Sequence, residues 1–202
     1  MKNKIVQNAQ ELFFRYGIKT VTMEDIARHV GISKKTLYTF FDDKNELATA
    51  AVENLISTQV SLLRQCRADA RDAIDEVFLS SILPFHGVAA INPLFFYQLE
   101  RFHSPSWNII RSHSDKTLRF MIAENLETGI KAGYYRQELD TGFIADIRVE
   151  QVRDAIINKN QKDMTAETLM QQLTEFYLHG ITNEKGKKLI AKYSKEYHGN
   201  HQ

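Results

Sequence analysis

Apolar residues recur along this chain at three- and four-residue intervals, the period of buried helix faces, and strand-like alternation is rare. Ile5, Ala9, Leu12, Phe13 and Tyr16 place one apolar stripe on a helix predicted from about Lys2 to Tyr16. Gly17 follows and suits its C-terminal cap; Ile18 and Val21 then lead into the core. A second helix starts at Thr22. The run Thr22-Met23-Glu24-Asp25 has the form of a capping box, with a hydroxyl for a free backbone N–H and an acid three residues on. Ile26, Ala27 and Val30 form its buried face and Gly31 stops it. Ser33 is the N-cap of a third helix, Lys34 to Phe41, in which Leu37 and Phe41 share one face. Asp43-Lys44-Asn45-Glu46, another capping box, opens a longer helix through Leu47, Ala51, Leu55 and Leu62 to about Cys66.

Further helices are predicted at about 70–84, 93–103, 105–133, 141–158, 165–182 and 184–197. Pro84, Asn92-Pro93 and Ser104-Pro105 mark breaks, Gly133 and Gly142 bracket a loop, and Asp163-Met164-Thr165-Ala166 offers a helix start. Only 3 prolines interrupt these windows, and no Asn-Gly or Asp-Gly hairpin turn occurs. The expected fold class is all-α: a three-helix helix-turn-helix domain over residues 1–46, then a larger helical domain over 47–202.

Composition narrows the function. With 43% of its 202 residues hydrophobic, the chain is not disordered as a whole. The balance of 26 basic and 25 acidic residues, net +1, excludes a whole-chain polycation, so nucleic-acid binding requires a local basic surface. The apolar stretch from Val77 to Leu99 is broken by Ser80, Ser81, Pro84, His86, Gly87, Asn92 and Pro93 and makes a poor membrane span. The N-terminus has no signal-peptide core, and a cytoplasmic protein with no membrane partner is expected. The single cysteine, Cys66, removes intrachain disulfides. His86, His103 and His113 lack the spacing of a metal site, so no metal or cofactor is expected. An enzyme is not expected either: there is no Gly-rich phosphate loop, nucleophile elbow or paired metal-ligand motif.

Ala27, Gly31 and Leu37 supply the three parts of a helix-turn-helix. These are a small residue where two helices cross, a turn residue tolerant of positive φ, and an aliphatic anchor facing back. From Ile26 to Phe41 there is no acidic residue. With Leu37 and Phe41 buried, the third helix presents Lys34, Lys35, Thr36, Tyr38 and Thr39, all able to meet phosphates or base edges. A solvated lysine-rich face is the competing reading. Two lysines give too little affinity for one module, so DNA recognition implies a homodimer that sets two such helices on one duplex.

The segment from Thr22 to Lys44, with Ala9, Leu12, Phe13 and Gly17 before it, resembles the signature of the TetR (tetracycline-repressor-like) family over about residues 3–50. The resemblance implies a dimeric bacterial transcription regulator, most often a repressor that leaves its palindromic DNA operator when its C-terminal domain binds a small effector. It also implies that Thr22 is a phosphate-contacting cap. It places Ser33, Lys34, Lys35, Thr36 and Thr39 at or beside the recognition helix and makes Tyr38 and Lys44 phosphate contacts. Asp42-Asp43 departs from the family's usual Pro-Ser and sets negative charge near the phosphate path.

No family motif marks the effector site. Its residues are expected among Phe85, Phe96, Tyr97, Phe102, Trp107 and Phe120, in an aromatic-rich region that reads equally as ordinary core. Ile144, Ile147, Val152 and Ile156, with Leu169, Leu173, Phe176 and Tyr177, are the expected dimer faces of two long helices; burial within the monomer is the alternative. An effector-independent helical DNA-binding or protein-interaction module is the alternative function. Steep salt dependence without a preferred site would mark the DNA-binding form of it.

Overall fold

The computed structural model describes residues 1–157 and 164–198. Among them the fold is all-α. In chain order the helices are α1 (Lys2–Tyr16), α2 (Met23–Val30), α3 (Lys34–Tyr38), α4 (Lys44–Asp69), α5 (Ala73–Ala89), α6 (Pro93–Phe102) and α7 (Ser104–Ser112). A π-helical segment, His113–Leu118, follows, then α8 (Arg119–Lys131), α9 (Thr141–Ile157), α10 (Ala166–Ile181) and α11 (Glu184–His198). The helix end expected at Asn158 and the helix start expected from Asp163 fall outside the described residues.

Two compact units emerge. The first comprises Met1–Val60 and Ala90–His113. Compactness thus groups α6 and α7 with the N-terminal helices, beyond a cut at residue 46. The reason is aromatic packing from α6 onto α1: Phe95 is fully buried, with Phe14 edge-on at 4.8 Å and Phe96 at 5.5 Å. Asn92 caps α6 through its side-chain oxygen, donates its backbone N–H to Phe14 and its side-chain amide to Arg15. Buried Gln98 accepts the Lys19 N–H at 2.9 Å. Gly17 is needed there on two counts: its φ is +79°, and an added Cβ would lie 2.9 Å from the Gln98 oxygen.

The second unit comprises Ser61–Ala89 and the described residues from Ser114 onward. Ile74, Phe78, Leu126, Tyr135, Ala145, Leu178, Ile181, Ile190 and Tyr193 form its main core. Each large side chain buried in this way contributes about 1.5–3 kcal/mol. Tyr135 is fully buried and donates to the Ala73 carbonyl; Asn125 Oδ1 also lies 3.1 Å from its hydroxyl, while the Asn125 amide donates to Ala73 and Glu76.

Several expected boundaries move. The third helix ends at Tyr38, not Phe41, because the Thr39 hydroxyl and N–H both turn back onto the Thr36 carbonyl. Pro84 lies inside α5: Phe78 before it and Phe85 and Val88 after it are all buried, and that burial outweighs one lost helical hydrogen bond. The expected 105–133 helix is interrupted by the π-helical segment. Ile190 and Tyr193 anchor α11 in the core of the second unit. No single described helix is long and apolar enough to cross a membrane.

Candidate nucleic-acid interface

Capping positions α2 and α3. Thr22 Oγ1 accepts the Asp25 N–H at 3.1 Å and Asp25 Oδ2 accepts the Thr22 N–H at 3.0 Å, completing the capping box despite the short acid. The Thr22 hydroxyl also donates to Asp25 at 2.6 Å. These bonds hold the Asp25 carboxyl below the usual carboxylate range. At the other end of α2, Gly31 takes φ +81° and donates to the Ala27 carbonyl, as does Ile32. Ser33 then caps α3, accepting the Thr36 N–H at 3.0 Å, with its hydroxyl 2.8 Å from that of Thr36. Leu37 is fully buried and Phe41 nearly so.

The exposed face is the one the sequence predicts, with one difference in role. Lys34 and Lys35 are exposed, and neither pairs with a carboxylate among the described residues. Tyr38 is 43% exposed and Thr39 is exposed. Thr36 is half-buried. Lys44, by contrast, donates to the carbonyls of Ile18 and Val21 at 3.1 Å each, tying the α1–α2 turn to the start of α4 and leaving one ammonium N–H over. Asp43 caps α4 by accepting the Glu46 N–H at 2.8 Å; Glu46 reaches the N–H of Asp42. Arg28 lies close to Glu24 and Asp25, at 3.6 and 3.9 Å, and His29 to Glu11. The unpaired positive charge of this face thus concentrates at Lys34 and Lys35.

Sequence reasoning missed the brace behind the face. Gln98 and Asn92 on or beside α6 hold the end of α1, and the Lys19 ammonium lies over the Phe102 ring. The only local signal was the Asn92-Pro93 helix start.

The expected effector residues divide between the units. Phe96 is buried in the first unit, where Trp107 is half-buried and Tyr97 and Phe102 are exposed. Phe85 is buried in the second unit beside Ala155, Leu169 and Met170; Phe120 is 61% exposed. Neither unit gathers the six. An open groove of about 590 Å³ in the second unit is lined by Asp115, Arg119, Asp146, Ile147, Val149, Glu150 and Gln151. Its charges are matched in ion pairs, Arg119 with Asp146 and Arg153 with Asp115 and Glu150. Among the described residues no cluster of His, Cys, Asp or Glu could hold a metal. Cys66 is buried, which pushes its thiol up and away from reactivity.

The expected dimer residues split by side. Ile147 is 40% and Phe176 is 73% exposed, and Ile144 is half-buried. Val152, Ile156 and Leu173 pack partly against the Phe85 cluster. Leu169 and Tyr177 are buried within the monomer, the alternative reading of these two residues.

Residues 5–51 match the profile described as bacterial regulatory proteins, tetR family. The biofilm operon negative transcriptional regulator IcaR of Staphylococcus epidermidis is 38% identical over 63 residues, 31% of this chain and 34% of that one. The transcriptional repressor KstR2 of Mycobacterium tuberculosis is 25% identical over 191 residues, covering 91% of this chain and 94% of that one. A putative transcriptional regulator from Saccharomonospora viridis, solved in complex with choline, superposes with a TM-score of 0.76 at 19% identity, covering 91% and 98% of the two chains. That last likeness is one of fold. The helix-turn-helix profile falls on the face with the unpaired lysines, and the relation to KstR2 runs nearly end to end. Over residues 5–51 the chain thus carries the DNA-binding region described for the tetR family of bacterial regulatory proteins.

Proposed function

We propose that this regulator is a homodimeric repressor that binds a palindromic operator and leaves it when a small effector binds. Residues 1–46 contact DNA; the remainder carries the dimer surface and effector site. The observation that carries the reading is the exposed α3 face, where Lys34, Lys35, Tyr38 and Thr39 stand free of any carboxylate between Ile26 and Phe41. Lys34 and Lys35 reach base acceptors or phosphate. Tyr38 offers its hydroxyl to phosphate, as do the remaining Lys44 N–H and Thr22, which contacts DNA only by exchanging its bond to Asp25. Ser33 and Thr36 set the start of α3. A similar fold solved with choline supports a bound small molecule.

The test starts by selecting an operator from random duplexes with the purified protein. Lys35→Ala and Lys34→Ala should each weaken that operator by about fivefold or more, roughly the value of one base or phosphate contact. Unchanged affinity in both folded variants overturns the assigned face. Tyr38→Phe should lower affinity for operator and unrelated duplexes alike; a loss confined to the operator contradicts a phosphate role.

A further inference from the structure

Arg148 projects from α9 into the interior and is 5% exposed. Its Nη2 donates to Thr174 Oγ1 at 2.9 Å and its Nη1 to the Leu173 carbonyl at 3.2 Å. Its remaining contacts are poor: Gln151 Oε1 at 3.4 Å and the Met170 sulfur at 4.0 Å. Among the described residues no carboxylate pairs with this guanidinium, although the other buried ion of this unit, Asp75, is paired with Arg71. Below the guanidinium lies the Tyr177 ring, with its centroid 4.7 Å from Cζ. The Tyr177 hydroxyl is buried and has no hydrogen-bond partner among the described residues. Burial pulls the Arg148 guanidinium down to about 10 and pushes the Tyr177 hydroxyl up. Both nevertheless hold their protons at neutral pH.

A buried cation without a counter-charge and a buried donor without an acceptor are each unfavourable alone. Side by side they are complementary to one chemical group. A carboxylate brings one negative charge against one positive charge, takes N–H donors from the guanidinium on its oxygens, and accepts the phenol O–H. A phosphate dianion would bury a surplus negative charge. The neighbouring wall of Phe85, Leu169, Met170 and Leu173 is apolar and suits a hydrocarbon body. Met170 makes the weakest of the four contacts, and its flexible side chain can yield to a ligand.

We propose that Arg148 and Tyr177 bind the carboxylate of an amphipathic small molecule between α9 and α10, and that this molecule is the effector. The second half rests on the effector-released repressor proposed above.

The full-length protein is melted with octanoate, decanoate and phenylbutyrate, each beside its neutral amide, and operator affinity is measured with the same compounds. The carboxylates should raise the melting temperature above the amides and weaken operator binding. Arg148→Met should melt close to wild type, since removing an unpaired buried charge offsets the loss of its bonds to Thr174 and Leu173, and should lose the carboxylate response. Tyr177→Phe, which removes a single oxygen, should weaken that response about tenfold, the value of one hydrogen bond to a charged group. Should R148M fail to fold, an undiminished response in Y177F still overturns the site. So do carboxylates that stabilise no better than their amides. Carboxylates that stabilise through Arg148 but leave operator affinity unchanged uphold the site and overturn its role as effector site. A neutral compound that releases operator while the carboxylates do not bind overturns the site and leaves the repressor reading standing.

Discussion

Two buried ions in the second unit behave in opposite ways, and the difference lies in their partners. Burial pushes the Asp75 carboxyl up, but two hydrogen bonds from the Arg71 guanidinium, its backbone N–H and the Tyr197 hydroxyl outweigh it and hold the group at about 2. A depressed acid stabilises the fold at every pH above its unfolded value of 3.8 and loses that contribution as pH falls towards 2. The shift corresponds to about 2 kcal/mol. Asp75→Asn should therefore lower stability by roughly that amount at pH 7 and flatten the loss of stability between about pH 4 and pH 2. Urea unfolding across that range measures it; an unchanged acid limb would show that the Arg71 pair contributes nothing. Part of this site is legible in sequence, since Arg71 and Asp75 are four residues apart, Arg71 in the bend before α5 and Asp75 in its first turn. Arg148 is not legible. In the sequence it is one more polar residue of an amphipathic helix, and only the packing of α10 over it reveals a charge with no counter-charge.

At the scale of elements, caps were more legible than ends. Thr22 and Asp25 close the capping box that their spacing announces, because every atom involved lies within four residues. Thr22→Ala should cost about 1 kcal/mol and raise amide exchange at Asp25 about fivefold, while Thr22→Ser should keep both near wild type. Exchange at Asp25 that is equally slow in the alanine variant would assign its protection to something other than the cap. The end of α3 was misplaced for a local reason that sequence weighs poorly: the Thr39 hydroxyl competes for the Thr36 carbonyl and wins against continuation to Phe41. The break expected at Pro84 failed for a non-local reason. Burial of Phe78, Phe85 and Val88 carries α5 through its proline, and the packing of Phe95 on Phe14 places α6 with the N-terminal helices of the first unit. Of that aromatic stretch, Phe85 is buried in one unit and Phe95 and Phe96 in the other, while Tyr97, Phe102 and Phe120 are exposed.

For the whole molecule the proposed homodimer raises the question of how two copies of α3 would come to share one duplex. The lysines of a single α3 are too few for operator-level affinity, so the proposed dimer requires a second surface to hold its two copies together. In the second unit α9 leaves Phe143 60% and Ile147 40% exposed, and α10 leaves Phe176 73% exposed, although both helices also bury a full inner face. These three side chains, on the outer face of already packed helices, are the surface proposed for the dimer. Phe176→Asp should accordingly leave helicity and the cooperativity of melting intact, convert a dimer to a monomer in sedimentation equilibrium, and lower operator affinity by about a hundredfold as the two heads lose their tether. Leu169→Asp is the contrasting variant: it places a charge in the core and should unfold the unit rather than dissociate it. A Phe176→Asp protein that remains dimeric would move the interface off α10, and with it the spacing at which two copies of Lys34 and Lys35 meet the groove.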